Sequence, residues 1–185
     1  MSATFERAGA GNTAAALQIA VDEAARRGLR LVVASTRGPT GLAALELSRQ
    51  RGVELIVVTH NTGFGEPGEQ EFAPDARERL EQAGARVVTA TLPLRSLGTS
   101  LRKANGGSEQ EIVNAALRIF GQGAKVCVEM AAMVADAGLV QNGDDIVAVA
   151  GTVSGADTAC VVRPMPSNRL FEIRVRQFLC KPGNW

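Results

Sequence analysis

Several residue types are scarce in this sequence, and each shortage excludes a kind of site. The chain has no tyrosine and a single histidine, His60, so the usual metal centre built on several histidines is not expected. Its three cysteines, Cys127, Cys160 and Cys180, are odd in number and widely spaced. They match neither a disulfide framework nor a zinc knuckle, so we expect a protein without bound metal in a reducing cytoplasm.

Charge of one sign and long apolar runs are also lacking. Lys and Arg number 20 and Asp and Glu 19, which leaves a formal net charge of +1. This balance argues against an extended phosphate-neutralising face, and we expect no nucleic-acid partner. The first residues lack the basic-then-apolar order of a signal peptide, and no run approaches the roughly 18 apolar residues of a membrane span. A membrane partner is therefore not expected.

What the sequence does contain is an alternation of two hydrophobic periods. Four short apolar runs, LRLVVAS, VELIVVT, ARVVTAT and DIVAVAG, are typical of strands buried on both faces. Amphipathic stretches between them predict helices, the first with Asn12 as its expected N-cap. The mixed polar and apolar tail, CVVRPMP and LFEIRVRQFL, predicts one or two edge strands. This order predicts a three-layer α/β/α sandwich with a mostly parallel sheet, a single domain over residues 1–185.

One segment fits neither period. Residues 92–107, LPLRSLGTSLRKANGG, are irregular and carry Arg95, Arg102 and Lys103. Connecting segments usually run over the surface, so we predict a solvated loop. A role of its basic residues in a site is left open.

The segment GFGEPG, residues 63–68, has the G-x-G-x-x-G spacing of dinucleotide-binding loops. Its setting argues against that function. The next helix does not begin at the third glycine, and Glu66, Glu69 and Glu71 would repel a pyrophosphate. The following strand ends in threonines rather than in an acidic residue that could bind a ribose. We interpret the three glycines as an irregular turn that borders the ligand pocket.

The turn after the first strand, STRGPTG, suits an anion better. Ligands of open α/β sheets bind beyond the carboxyl ends of the strands, where helix N-termini favour negative charge. The turn lacks the Lys of a nucleotide-binding P-loop but offers hydroxyls, glycines and one cation for a single phosphate. These candidates are Ser35, Thr36, Arg37, Gly38, Thr40 and Gly41. The alternative is a Gly/Pro turn in which a hydroxyl caps the helix.

A second polar loop, GTVSGADTA, follows the fourth strand. If the strand order is 3-2-1-4, the first and fourth strands are neighbours and both loops flank one crevice. The candidates in the second loop are Gly151, Thr152, Gly155, Ala156, Asp157 and Thr158. Further candidates at the same edge are Asn12, Thr59, His60, Gly63 and Phe64.

Five segments together resemble a stand-alone family of archaeal and bacterial proteins that is similar to the C-terminal domain of pyruvate kinase. They are NT at 12–13, VVASTRGPTG at 32–41, VVTHNTGFGEPGEQEF at 57–72, FGQGAKVCVEMAAMVADAGL at 120–139 and GTVSGADTA at 151–159. The resemblance covers nearly the whole chain. It implies a five-stranded sheet of order 3-2-1-4-5 whose last strand is antiparallel. The catalytic barrel of pyruvate kinase is absent, so pyruvate kinase activity is not implied.

The resemblance also implies a ligand. Members of the stand-alone family are associated with flavin mononucleotide (FMN), and the corresponding loop of pyruvate kinase receives the phosphate of an allosteric sugar. By this resemblance the loop from Ser35 to Gly41 would hold the phosphate. The loop at 151–158 would line the ribityl chain or the ring, and Asn12, His60 and Phe64 would complete the pocket.

The leading expectation is thus a binding domain for a phosphorylated small molecule, with FMN as the named candidate. Two alternatives stay open. An enzyme that acts on a phosphorylated metabolite, or passes electrons through a flavin, would use His60 and Asp157 as an acid–base pair. A regulatory sensor domain would act through a protein partner, and self-association into a homo-oligomer is also open.

Overall fold

The computed structural model describes residues 2–141 and 143–185, so Met1 and Asn142 of the predicted domain lie outside the described residues. The strands are β1 (Ala3–Phe5), β2 (Arg30–Ala34), β3 (Leu55–Val58), β4 (Arg86–Val88), β5 (Ile146–Ala150), β6 (Thr158–Arg163) and β7 (Arg174–Pro182). The helices are α1 (Thr13–Arg27), α2 (Pro39–Arg51), α3 (Pro74–Gln82), α4 (Ser96–Asn105), α5 (Glu109–Arg118) and α6 (Gln122–Asp136), with short 3₁₀ segments at Ala10–Asn12 and Ser167–Glu172. Within these described ranges no helix has the length and apolar character needed to cross a membrane.

The strands form one sheet of order β1-β7-β6-β5-β2-β3-β4. β2 pairs in parallel with β3 and β5, and β3 pairs in parallel with β4. β6 is antiparallel to β5 and β7, and β1 is parallel to β7. The prediction of five strands is therefore wrong, although β4-β3-β2-β5-β6 keep the expected order 3-2-1-4-5. The tail forms two strands, β6 and β7, but the prediction that they lie at the edge of the sheet is wrong. β6 pairs with β5 and β7, and β7 pairs with β6 and β1, which supply partners for the backbone groups on both sides of each strand.

Neighbouring residues of the central strands serve opposite layers of the core. Val33 and Val57 pack with α1, α2 and α3, whereas Val32 and Ile56 pack with α6. Successive side chains of a strand point to opposite faces, so a strand covered on both faces must be apolar at every position. β5 is buried along its whole length for this reason. The predicted mixed α/β fold with a mostly parallel sheet is confirmed.

Proline and glycine set the ends of α2 as the sequence predicts. Pro39 occupies the first turn, and Gly52 ends the helix in the left-handed region at φ 65°. Asn12 occupies the N-cap position of α1 as predicted, but its side chain makes no capping bond to that helix. Its amide group donates instead to the carbonyl oxygens of Arg7, at 2.8 Å, and Gly9, at 3.3 Å.

The predicted solvated loop at residues 92–107 is wrong, because Ser96–Asn105 form α4. The helix is short and buries only Gly98 of its own residues. An added Cβ on Gly98 would lie 2.8 Å from the Cβ of Gln110, so α4 packs closely against α5. Helices of this length depend on tertiary packing more than on intrinsic preference, which is why the local pattern did not reveal it.

Candidate functional site

The strands that carry the two predicted loops, β2 and β5, are parallel neighbours, as the sequence predicts. Their carboxyl ends bring the loop at 35–41 and the loop at 151–157 to the same side of the molecule. The second strand of the prediction, β3, ends beside them and is followed by His60. The sequence therefore predicts correctly which loops share an edge, and the remaining question is which side chains face a cavity there.

The loop at 151–157 is held together by the carboxylate of Asp157, which is completely buried. One carboxylate oxygen accepts hydrogen bonds from the backbone N–H of Gly9, at 2.9 Å, and of Thr152, at 3.1 Å. The other accepts from the hydroxyl of Thr158 at 2.7 Å. Asp157 therefore ties the loop after β5 to the segment that precedes α1.

The start of α1 completes this closed arrangement. Gly155 lies in the left-handed region at φ 68°, and an added Cβ would stand 2.4 Å from the hydroxyl oxygen of Thr13. The same hydroxyl accepts a hydrogen bond from the N–H of Ala156 at 3.0 Å. The predicted site residues that meet here are Asn12, Gly151, Thr152, Gly155, Ala156, Asp157 and Thr158. Their polar groups mainly satisfy one another or nearby backbone, and none of them lines the cavity described below.

The loop at 35–41 uses part of its anion-binding capacity internally. The hydroxyl oxygen of Ser35 accepts from the backbone N–H of Gly38, at 3.2 Å, and of Gly41, at 3.1 Å. The alternative prediction, a hydroxyl that caps the helix, thus describes Ser35 correctly. Gly38 also has a packing role, because an added Cβ would lie 2.6 Å from the Cβ of Ala76 on α3.

A cavity of about 80 Å³ lies between the ends of β2 and β3 and the first half of α6. Five predicted residues line it, namely Ser35, Thr36, Thr59, His60 and Phe64. Arg37 is exposed, and Gly38, Thr40, Gly41 and Gly63 are outside the lining. The polar and charged residues that sequence reasoning missed are Arg95, Gln122, Lys125 and Glu129. The cavity therefore lies on the α6 side of the sheet rather than between the two predicted loops.

The mouth of this cavity is formed by a stack of three side chains. The rings of His60 and Phe64 have centroids 3.8 Å apart, and the guanidinium carbon of Arg95 lies 4.4 Å from the centroid of Phe64. The Nδ1 atom of His60 is 2.8 Å from a carboxylate oxygen of Glu71. Among the described residues Arg95 takes part in no ion pair. The mouth thus carries a cation that no carboxylate neutralises.

The inner wall contains a buried ion pair between Lys125 and Glu129, one turn apart on α6. Burial lowers the pKa of the Lys125 ammonium group, and the neighbouring Glu129 carboxylate opposes that effect. The other oxygen of Glu129 accepts from the backbone N–H of Leu94 at 2.9 Å. The side-chain amide of Asn114 on α5 donates to the carbonyl oxygen of Leu94. The buried side chains of Glu129 and Asn114 therefore hold the backbone of Leu94, the residue that precedes Arg95.

Two of these additional residues, Lys125 and Glu129, could have been identified from the sequence. Lys125 and Glu129 interrupt a helix that is otherwise apolar, in the segment KVCVEMAAMV. Buried charges are rare unless they are paired, and a spacing of four residues places both on one face of a helix. Such a pair inside an apolar helix indicates either a structural ion pair or a site.

The predicted acid–base pair of His60 and Asp157 does not form in this structure. The hydrogen-bond partner of His60 Nδ1 is Glu71, and Asp157 is enclosed by the contacts described above. The glycine turn at 63–68 is closed by a local hydrogen bond, in which the N–H of Gly63 donates to the carbonyl oxygen of Glu69 at 2.7 Å. This observation agrees with an irregular turn and leaves that N–H unavailable to a pyrophosphate.

A wider groove of about 550 Å³ lies at the opposite edge, next to the amino ends of β2 and β3. Its two arginines are engaged by carboxylates, Arg30 by Glu54 at 2.8 Å and Arg51 by Asp22 at 2.9 Å. Because its cations are paired and exposed, this groove offers little for the selective recognition of an anion. The smaller cavity has the more specific chemistry.

Comparison with models of known protein families gives no match for this chain. Within residues 2–141 and 143–185, no group of three or more His, Cys, Asp or Glu side chains is placed to hold a metal ion. The fold and the cavity together define an α/β protein with a small cavity, lined by both polar and apolar side chains, at the carboxyl edge of its parallel strands.

Proposed function

We propose that this protein binds a phosphorylated small molecule at the cavity, with the phosphate at the mouth against Arg95 and Thr36. The observation that carries the proposal is the guanidinium group of Arg95, which lies over Phe64 without a carboxylate partner in the described structure. Charge-assisted hydrogen bonds from guanidinium to phosphate are among the stronger polar contacts in proteins.

The remaining charges near the cavity favour the same ligand. Lys125 is balanced by Glu129, and His60 has Glu71 as its partner. The excess positive charge therefore comes from Arg95 and from Arg118, which donates a hydrogen bond to Gln122 and has no ion-pair partner among the described residues. Both α2 and α6 begin at this edge of the sheet. The N-termini of helices carry partial positive charge, which adds to the preference for an anion.

FMN stays the named candidate on the strength of the resemblance to the stand-alone family related to the pyruvate kinase C-terminal domain. Its size does not fit the cavity as it stands. The cavity encloses about 80 Å³, whereas pockets for ligands of this class measure about 300–1,000 Å³. A phosphate group fits, but the isoalloxazine ring requires that the stack of His60, Phe64 and Arg95 opens.

The test is a set of calorimetric titrations with FMN, riboflavin and inorganic phosphate, preceded by a visible spectrum of the purified protein. Binding that needs the phosphate supports the proposal, and a yellow protein identifies the flavin. Arg95→Met removes the unpaired cation and should weaken phosphate-dependent binding by roughly 10- to 100-fold, the equivalent of one charged hydrogen bond.

Arg102→Met is the matched control, because Arg102 is exposed on α4 and does not line the cavity. Its affinity should equal that of the wild type. Equal affinities for the Arg95 and Arg102 variants would contradict the placement of the phosphate. The absence of binding by all three compounds would contradict the proposed function as a whole.

A second candidate function is regulation through self-association. Two apolar side chains are exposed about two turns apart, Ile112 on α5, which is 71% accessible, and Ile119 at its C-cap, which is 68% accessible. The same helix reaches the cavity wall, because Asn114 holds the carbonyl of Leu94 next to Arg95. Sedimentation velocity with and without phosphate tests this function. A second copy on α5 predicts a dimer that Ile112→Glu abolishes, and a monomer under every condition would exclude it.

The cytoplasmic location stays a prediction.

A further inference from the structure

The composition of the basic residues makes Lys125 unusual. Of the 20 basic side chains in the chain only three are lysines, at positions 103, 125 and 181, and the others are arginines. Lys103 is exposed on α4, and the amine of Lys181 lies over the ring of Trp185. Lys125 is the one buried within a cavity wall, at 2% exposure. Arginine supplies charge and fork-shaped hydrogen bonds, whereas lysine alone offers a primary amine that reacts when it loses its proton.

The surroundings of this amine favour the loss of a proton. Its ion-pair partner Glu129 is itself buried at 3% exposure and is placed to accept the proton directly. In a site with little water, proton transfer within the pair replaces two buried charges by a neutral amine and a neutral carboxylic acid, which removes their desolvation cost. Burial and the positive charges of Arg118 and Arg95 lower the pKa of the ammonium group, and the Glu129 carboxylate, which is its proton acceptor, offsets part of this effect by raising it.

The size of the cavity limits what can reach the amine. Its volume of about 80 Å³ is well below the about 300–1,000 Å³ of pockets that enclose drug-sized ligands. The cavity therefore suits a small group, such as a carbonyl with one neighbouring carbon, better than a fused ring system. The ligand phosphate at Arg95 would then leave the opposite, unphosphorylated end of a short molecule inside the cavity.

We propose that Lys125 forms a Schiff base with the carbonyl carbon of a short phosphorylated aldehyde or ketone. This inference rests on the proposed phosphate site and names the substrate class for it. Lys125 passes one proton to Glu129, and the amine lone pair attacks the carbonyl carbon to form a C–N bond. The carbonyl oxygen receives the proton from Glu129, which gives a carbinolamine after the nitrogen loses its additional proton to Glu129. That proton then returns to the hydroxyl group, water leaves, and a protonated imine remains.

The step balances without an oxidant or a reductant. The aldehyde and the lysine ammonium group yield the iminium ion and one water, and Glu129 ends as the carboxylate with which it began. Nucleophilic lysines of this kind depend on a desolvated site and a neighbouring proton acceptor, which are the two features that the wall of α6 combines. Lys125 is in this proposal a catalytic residue, because it bonds to the substrate.

Reductive trapping tests the proposal. The full chain is incubated with glycolaldehyde phosphate or glyceraldehyde 3-phosphate and sodium cyanoborohydride, and each lysine-containing peptide is followed by mass spectrometry. We expect an adduct on Lys125 that forms at least about tenfold faster than on Lys103 or Lys181, because the phosphate holds the carbonyl beside the amine. Glycolaldehyde without phosphate should show no such preference.

Lys125→Arg keeps the positive charge opposite Glu129 and removes the amine, so it should still bind the phosphorylated aldehyde in calorimetry while the adduct disappears. Lys103→Arg is the matched control and should trap as the wild type does. If the Lys125 variant fails to fold, the distribution of label over the three lysines of the wild type decides the question.

The outcomes separate this inference from the proposed phosphate site. Equal labelling of the three lysines, or calorimetric binding without an adduct, would overturn the Schiff base and leave the phosphate site intact. If the protein shows no binding and no adduct, both the Schiff base and the phosphate site are overturned. Preferential labelling of Lys125 that needs the phosphate supports both.

Discussion

Replacement of Asp157 tests whether this residue holds the loop after β5 or belongs to the chemistry of a site. In the structure its carboxylate accepts from the N–H groups of Gly9 and Thr152 and from the hydroxyl of Thr158. Asp157→Ala leaves two partly buried backbone donors without an acceptor, at no more than about 1–3 kcal/mol for each unsatisfied group. Asp157→Asn keeps one acceptor oxygen, and the Thr158 hydroxyl can rotate to accept from the new amide.

We therefore expect a graded loss of stability. Asp157→Ala should lower the free energy of unfolding by about 2–6 kcal/mol and Asp157→Asn by about 1–2 kcal/mol, measured by urea denaturation. Glu46→Gln, on the exposed face of α2, is the control and should stay within about 0.5 kcal/mol of the wild type. Asp157→Asn should also bind phosphate as the wild type does, since Asp157 does not line the cavity.

Two results would refute the reasoning. Wild-type stability of Asp157→Ala would show that the buried carboxylate does not hold the loop. A stable Asp157→Asn protein that no longer binds phosphate would place this residue in the binding site, as the sequence predicts for the loop at 151–158.

Two further predictions follow from the packing. Gly38→Ala should destabilise the protein by about 1–3 kcal/mol through overpacking, since Gly38 has φ 122° and its new Cβ meets Ala76. Gly65→Ala is the control, because the space around Gly65 is open. Equal denaturation midpoints for the two variants would contradict the close packing of α2 on α3. The pKa of the Cys127 thiol is raised well above its usual range by the hydrogen bond with the Cys160 thiol and by burial. Burial raises the pKa of the Cys180 thiol to about 12. Unfolded thiols ionise near about pH 8.5, so stability should fall as the pH rises from there towards 12. Native protein should resist Ellman's reagent at neutral pH, and rapid reaction of the folded chain would contradict this.

The sequence predicted the edge of the sheet better than it predicted the cavity. Four apolar runs identified β2 to β5, and the neighbouring positions of β2 and β5 brought the expected loops together. Ser35 was recognised as either a phosphate ligand or a helix cap, and the structure shows the capping bonds. Local residue types cannot decide between these roles, because the same hydroxyl suits an N–H donor and a phosphate equally.

The extent of the sheet and the short helix α4 escaped prediction for a related reason. β1 has three residues, and its partner β7 lies at the other end of the chain. α4 buries a single glycine and is held by α5. Elements of this kind exist through contacts between distant segments, and a local hydrophobic pattern contains no record of those contacts.

What the sequence by itself determined is the layered α/β plan, because apolar residues at every position of short runs require strands covered on both faces, and amphipathic segments between them supply the cover. The tertiary structure alone decided which polar groups share a cavity. Arg95 follows Leu94, whose backbone is hydrogen-bonded by side chains of α5 and α6. Lys125 on α6 lines the same cavity as His60 and Phe64, which follow β3. Those side chains come from segments 30 residues or more apart in the chain, between residues 60 and 125. Only the packing of α6 onto β2 and β3 brings them within reach of one ligand.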